Sequence, residues 1–163
     1  MRFIDKEINP KQLSPLNLAF VGDCVYEMLV RETLVCDANR PVNDLHRESV
    51  KFVSAKAQTE AFNKIKDYLT EEETAQFKRG RNAKVGHSPK SATDAEYHTA
   101  TGVEALFGFL YLNGNLERIK ELFCIIKKKK RGRVLLVSAN IESRGGFYIL
   151  LFLCFQAEVC IRQ

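Results

Sequence analysis

An all-α fold is the class this sequence predicts, and three observations carry it. Apolar residues recur three and four apart through most of the first 126 residues, the period of a helix with one face in a core. Helix-start signals precede such runs, notably Ser14-Pro15 and Thr70-Glu71-Glu72-Glu73. No segment before residue 130 alternates apolar and polar residues for long enough to argue a strand.

Residues 1–13 hold no clear period and include Pro10, so they read as an irregular N-terminal segment. Ser14 offers an N-cap oxygen, and Pro15 takes the first helical position, where a missing N–H costs nothing. From there Leu16, Phe20, Cys24, Val25, Met28 and Leu29 recur at helical spacing to about Val35. Asp37-Ala38-Asn39-Arg40 breaks the pattern, and Val42, Leu45, Val50 and Val53 mark a short second helix with Pro41 or Asn43 near its start. Ser54 to Leu69 reads as a third helix, with Ala57, Ala61, Ile65 and Leu69 four apart. A fourth runs from Thr70 to Arg81 or Ala83, its opening glutamates complementing the positive end of the helix dipole. A loop follows over residues 84–92, with Gly86, Ser88, Pro89 and Ser91. A long helix from about Thr93 to Leu112 is stopped by Asn113-Gly114-Asn115, and a last one covers Leu116 to about Ile126.

A chain of 163 residues, 45% hydrophobic and 28% charged, can form one domain whose core needs no disulfides. No apolar run reaches membrane-spanning length and no charged-then-apolar leader opens the chain, so the cytoplasm is the expected location. The five cysteines, Cys24, Cys36, Cys124, Cys154 and Cys160, are odd in number and lack a C-x-x-C pair, which points to reduced thiols and away from zinc. The net charge of +5 is unevenly spread. Residues 127–163 hold eight of the 25 basic and two of the 20 acidic residues, leaving 17 basic and 18 acidic residues, or −1, in residues 1–126. An argument for nucleic acid must therefore rest on local clustering within the main domain.

The chain accordingly divides into a domain over residues 1–126 and an atypical tail over residues 127–163. After Lys127-Lys128-Lys129-Lys130 helical patterning ends, and nine apolar or aromatic residues run from Phe147 to Phe155. Loss of pattern directly after four lysines is what out-of-frame translation past an adenine-rich run would produce. A basic, RNA-binding extension is the alternative.

Two carboxylates stand out. Asp23 lies in Leu18-Ala19-Phe20-Val21-Gly22-Asp23-Cys24-Val25, and Glu104 in Thr101-Gly102-Val103-Glu104-Ala105-Leu106-Phe107-Gly108. An unpaired charge among core-type residues is costly unless something binds it. Glycine inside a helix costs about 1 kcal/mol relative to alanine, so Gly22, Gly102 and Gly108 point to close helix–helix approach. Two such helices in contact would bring the acids face to face, where they repel unless a divalent cation sits between them. Hard oxygen ligands with retained waters suit Mg²⁺, which can activate water and stabilise charge on a phosphodiester. The alternative is that each acid is a capped or salt-bridged helix residue. Lys78-Arg79-Gly80-Arg81-Asn82-Ala83-Lys84, with His87 and Lys90, is the densest basic cluster before the tail. Such a cluster can follow a phosphate backbone or simply form a solvated helix C-terminus.

Leu18-Ala19-Phe20-Val21-Gly22-Asp23 resembles the L-E-F-L-G-D signature of the ribonuclease III family, and Glu104-Ala105-Leu106-Phe107-Gly108 resembles its E-A-L-I-G signature. Asn43-Asp44-Leu45-His46, Val53-Ser54-Ala55-Lys56-Ala57-Gln58 and the basic stretch from Lys78 to Lys84 narrow the resemblance to Mini-ribonuclease III, its compact bacterial branch without a separate double-stranded-RNA-binding domain. The resemblance implies an all-α endonuclease domain that forms a homodimer and hydrolyses double-stranded RNA with Mg²⁺, leaving 5′-phosphate and 3′-hydroxyl ends. It further implies the 23S ribosomal RNA precursor as substrate and admits a large-subunit ribosomal protein as a second partner. Asp23 and Glu104 would be the catalytic metal ligands, and Arg79, Arg81, Asn82, Lys84, His87 and Lys90 the RNA-binding residues. The wider family has four carboxylates; here Ala19 and Thr101 stand at the other two positions, as in the compact branch, implying a water-rich metal site. Glu27, one turn beyond Asp23, reads as a surface ion pair and His46 as a structural histidine. A non-catalytic RNA-binding module that keeps the fold is the competing function, favoured by Ala19 and Thr101; a protein–protein adaptor ranks last, since it leaves Asp23 unexplained.

Overall fold

Helix starts follow local capping chemistry. The structure, a computed structural model, describes residue 4 and residues 6–84 and 92–128; His87, Lys90 and the tail from residue 129 onward lie outside the described residues. Ser14 Oγ accepts the Asn17 N–H at 3.2 Å and opens α1, Pro15–Asp37, after a 3-10 turn at Pro10–Gln12. Helix α2, Val42–Val53, follows Pro41, and Ser54 then serves both as the end of α2 and as the N-cap of α3, Ala55–Ile65. The third helix is shorter than its apolar period implies: its last turn tightens into a 3-10 turn at Lys66–Tyr68. Capping boxes built from Thr70 with Glu73 and from Thr93 with Glu96 open α4, Glu71–Arg81, and α5, Asp94–Leu112. Gly114, at φ 76°, takes the left-handed conformation that an L side chain disfavours and turns the chain into α6, Leu116–Lys127. These helices belong to one unit, Met1–Lys129. No described helix is long and apolar enough to cross a membrane.

The centre of the domain is α5, which is buried almost all round from Ala100 to Leu110. Two glycine pairs let neighbouring backbones reach it. On one side α1 crosses at Gly22 and Gly108: a Cβ on Gly22 would fall on the Glu104 carbonyl, and one on Gly108 would fall on the Leu18 carbonyl. On the other side α4 crosses at Gly80 and Gly102, where a Cβ on Gly80 would stand 2.5 Å from Ala105 Cβ and one on Gly102 2.7 Å from the Phe77 ring. Gly102 therefore serves the α4 contact, whereas Gly22 and Gly108 serve the contact expected between the acid-bearing helices. Gly80, set between two arginines, is a packing residue, and that accounts for the glycine within the basic stretch.

Helix α1 buries Leu18, Ala19, Gly22, Tyr26, Val30 and Leu34. Tyr26 meets Phe107 and Phe123 edge-on, with ring centroids 5.2 and 5.8 Å apart. The other apolar stripe of α1, with Leu16, Phe20, Cys24 and Met28, is exposed, and Phe20 is 79% accessible. At the far side Arg118 of α6 grips Glu73 with Nε at 2.8 Å and Nη2 at 2.9 Å and donates to the Tyr68 carbonyl at 2.6 Å.

Candidate active site

Asp23 and Glu104 come together because α1 and α5 touch backbone to backbone. Gly22 lies against the Glu104 carbonyl, and Asp23 is the next residue along α1. Asp23 is exposed and Glu104 half-buried. Burial, and then the charge of Asp23, raise the Glu104 carboxyl from its ordinary 4.5 to about 7, against one hydrogen bond from Gln58 that favours the charged form. Partial desolvation raises Asp23 as well, with the charge of Glu27 adding to it. Glu27 itself pairs with Arg31 at 2.6 Å on its own helix.

Neither acid of this pair has a salt-bridge partner among the described residues. Among those residues no cluster of three or more His, Cys, Asp or Glu is placed to hold a metal. The donor set is two carboxylates. The flanking positions add nothing to it, since Ala19 has no donor atom and the Thr101 hydroxyl is buried and donates to the Tyr97 carbonyl at 3.0 Å. Two mutually repelling carboxylates on a half-open surface fit a hard, hydrated divalent cation, which would lower both pKa values and fill its remaining positions with water.

Gln58 is a site residue that no local pattern marks, although it lies within a stretch that carries the family resemblance. Its Nε2 donates to Glu104 Oε1 at 3.1 Å and to the Val53 carbonyl at 3.2 Å.

The basic stretch splits into two parts. Arg79 is half-buried and donates to the Leu13 carbonyl at 2.8 Å, the Lys11 carbonyl at 3.3 Å and Gln76 Oε1 at 2.8 Å, so it ties the N-terminal segment to α4. Arg81, Asn82 and Lys84 are exposed at the end of α4. His46 is exposed on α2, and its carbonyl accepts the Ser49 hydroxyl at 2.9 Å.

Comparisons with known proteins agree on one family. The ribonuclease III domain family matches residues 16–115. A Mini-ribonuclease 3 of Thermoanaerobacter sp. (strain X514) is 51% identical over 110 residues, 68% of this chain and 78% of the relative. One of Symbiobacterium thermophilum is 48% identical over 114 residues, 70% of this chain and 88% of the relative. Among solved structures, a Fusobacterium nucleatum protein superposes with a TM-score of 0.65 at 34% identity, covering 69% of this chain and 87% of that one.

Proposed function

The chain belongs to the ribonuclease III family, and from that membership we propose that it is a Mg²⁺-dependent, homodimeric endoribonuclease that matures the 23S ribosomal RNA precursor in the cytoplasm. That it is a ribonuclease III-type endoribonuclease acting on double-stranded RNA follows from the family itself. The observation that carries the metal-dependent mechanism is the Asp23–Glu104 pair, two acids held at a glycine-mediated crossing with no salt-bridge partner among the described residues.

Asp23 and Glu104 would hold the cation from two helices, so the rigidity of the α1–α5 crossing sets its position. When bound, Mg²⁺ supplies an acidified water and stabilises charge on the scissile phosphate. Arg81, Asn82 and Lys84, followed by His87 and Lys90, would track the phosphate backbone, with Asn82 able to reach a ribose hydroxyl. Arg79 supports that surface from behind through its bonds to Leu13 and Lys11. The exposed stripe of Leu16, Phe20 and Met28 on α1 fits a second copy of the same chain, because an apolar surface of this kind is costly in water. Two copies would supply one site for each strand, leaving 5′-phosphate and 3′-hydroxyl ends. The catalytic domain would end near residue 126, with the tail outside it, and a large-subunit ribosomal protein could present the substrate.

The test is cleavage of a precursor-derived RNA stem by the wild type and by Asp23→Asn with Mg²⁺ present. Cleavage is expected to disappear in the variant while duplex binding persists; full cleavage by Asp23→Asn rejects the assignment. The buried Thr101 hydroxyl and Ala19 leave only two acids, which is the observation favouring a non-catalytic RNA-binding module. Salt-sensitive binding with no product at any Mg²⁺ concentration would select that second reading.

A further inference from the structure

Gln58 is among the most deeply buried polar side chains of the described domain, at 1% exposure, and it is incompletely satisfied. Its amide nitrogen lies between two acceptors, the Val53 carbonyl at the end of α2 and Oε1 of Glu104. Both neighbours are acceptors, so the NH₂ must face them and the amide oxygen must point away. That oxygen is buried with no partner among the described residues. A buried acceptor without a donor costs about 1–3 kcal/mol, set against two hydrogen bonds made by the amide nitrogen. The bond to the Val53 carbonyl serves the α2–α3 corner, and the bond to Glu104 is the one that reaches the acid pair.

Glu104 has few other restraints. It is half-buried, has no salt-bridge partner among the described residues, and its side chain receives one hydrogen bond, from Gln58 across 46 residues of sequence. The α2–α3 corner is in turn fixed by Ser54, which accepts the Ala57 N–H at 3.4 Å, and by the Gln58 N–H, which donates to the Ser54 carbonyl at 2.9 Å. The corner thus anchors Gln58, and Gln58 anchors one oxygen of Glu104.

We infer that Gln58 is a positioning residue for the metal-binding carboxylate: by holding Oε1 of Glu104 it leaves Oε2 free for the cation shared with Asp23. The inference rests on the endonuclease reading above and adds a residue to it. Gln58 touches neither RNA nor cation; it acts through Glu104.

Gln58→Met tests this, since methionine keeps the length and volume and loses the amide. Mn²⁺ is the probe, titrated calorimetrically into the RNA-free dimer, alongside Tm and duplex cleavage as a function of Mg²⁺. The variant is expected to keep its Tm within a few degrees, to bind Mn²⁺ about 10-fold more weakly and to lose about 10-fold in kcat with KM for RNA little changed. A folded Gln58→Met protein whose Mn²⁺ affinity and kcat stay within twofold of wild type overturns the inference, as does a fall in Tm alone. Wild-type protein that cleaves no duplex fails the function reading instead, so the two failures are distinguishable.

Discussion

Two glutamates withdrawn from solvent in this domain, one buried and one half-buried, behave oppositely. Glu73, at the start of α4, is 5% exposed; burial works to raise its pKa, yet hydrogen bonds from Arg118 and Thr70 outweigh burial and hold it below the ordinary carboxylate range. Glu104, at the α1–α5 crossing, is raised to about 7, with the Gln58 amide as its one side-chain donor among the described residues and another acid nearby. The first acid has its counter-charge within the chain, in a forked guanidinium contact, and contributes to the fold. The second has none among the described residues, and the domain tolerates the resulting repulsion at a place where glycines make room. A buried acid that brings its own cation is architecture; one that lacks it marks where a cation from solution would bind.

Exchanging charge for amide at each position is the sharpest way to break that contrast. Glu104→Gln should lower cleavage by about 100-fold or more, in line with removing a group aimed at the reacting charge, while the metal-free Tm stays unchanged or rises. Glu73→Gln should do the reverse, costing about 2 kcal/mol in urea denaturation by stripping Arg118 of its partner while leaving cleavage of the folded protein intact. A Glu104→Gln protein that is both active and unstable would erase the distinction.

A smaller effect should appear in the pH dependence of metal-linked stability. The Glu104 carboxyl titrates near 7 in the folded protein against an ordinary 4.5, so between those values the folded state binds the extra proton. Stability from this group is therefore lost as pH rises through that window, and the loss is complete above about 7. A cation that neutralises the pair removes the penalty. Saturating Mg²⁺ should thus raise Tm by several degrees at pH 8 and by less at pH 5.5, and the increment should collapse in Glu104→Gln. Equal increments at both pH values would count against the pairing.

The smallest effect separates the two arginines that flank Gly80. Arg81→Ala should weaken duplex binding a few-fold and lower the salt dependence by about one counterion, with Tm unchanged. Arg79→Ala should reduce stability by about 1–2 kcal/mol, because its bonds to Leu13, Lys11 and Gln76 are lost. Fluorescence anisotropy against salt, paired with thermal melts, distinguishes them.

Much of the helix layout was legible from sequence, because its signals are local. Ser14 reaches Asn17, Thr70 pairs with Glu73, and Gly114 turns the chain, all within a few residues. Asp23 and Glu104 could be found as acids in apolar, glycine-containing contexts. Helix α1 shows where this legibility stops. It carries apolar residues on more than one side, so helical period alone does not say that Leu18, Tyr26, Val30 and Leu34 face the core while Phe20 and Met28 face outward. Arg79 and Arg81 likewise read alike in a basic stretch, and only the approach of residues 11–13 makes one of them a strut.

By itself the sequence determined the six described helices, their order and the two acids, since caps, turns and periodicity act over one or two helical turns. Tertiary structure alone decided that Gly22 and Gly108, and not Gly102, make the expected crossing of the acid-bearing helices, that Gly80 and Gly102 seat α4, and that Gln58 holds Glu104. The physical reason is range: each of these contacts joins residues far apart in the chain, and its geometry exists only once two backbones have packed within a side chain's width of each other.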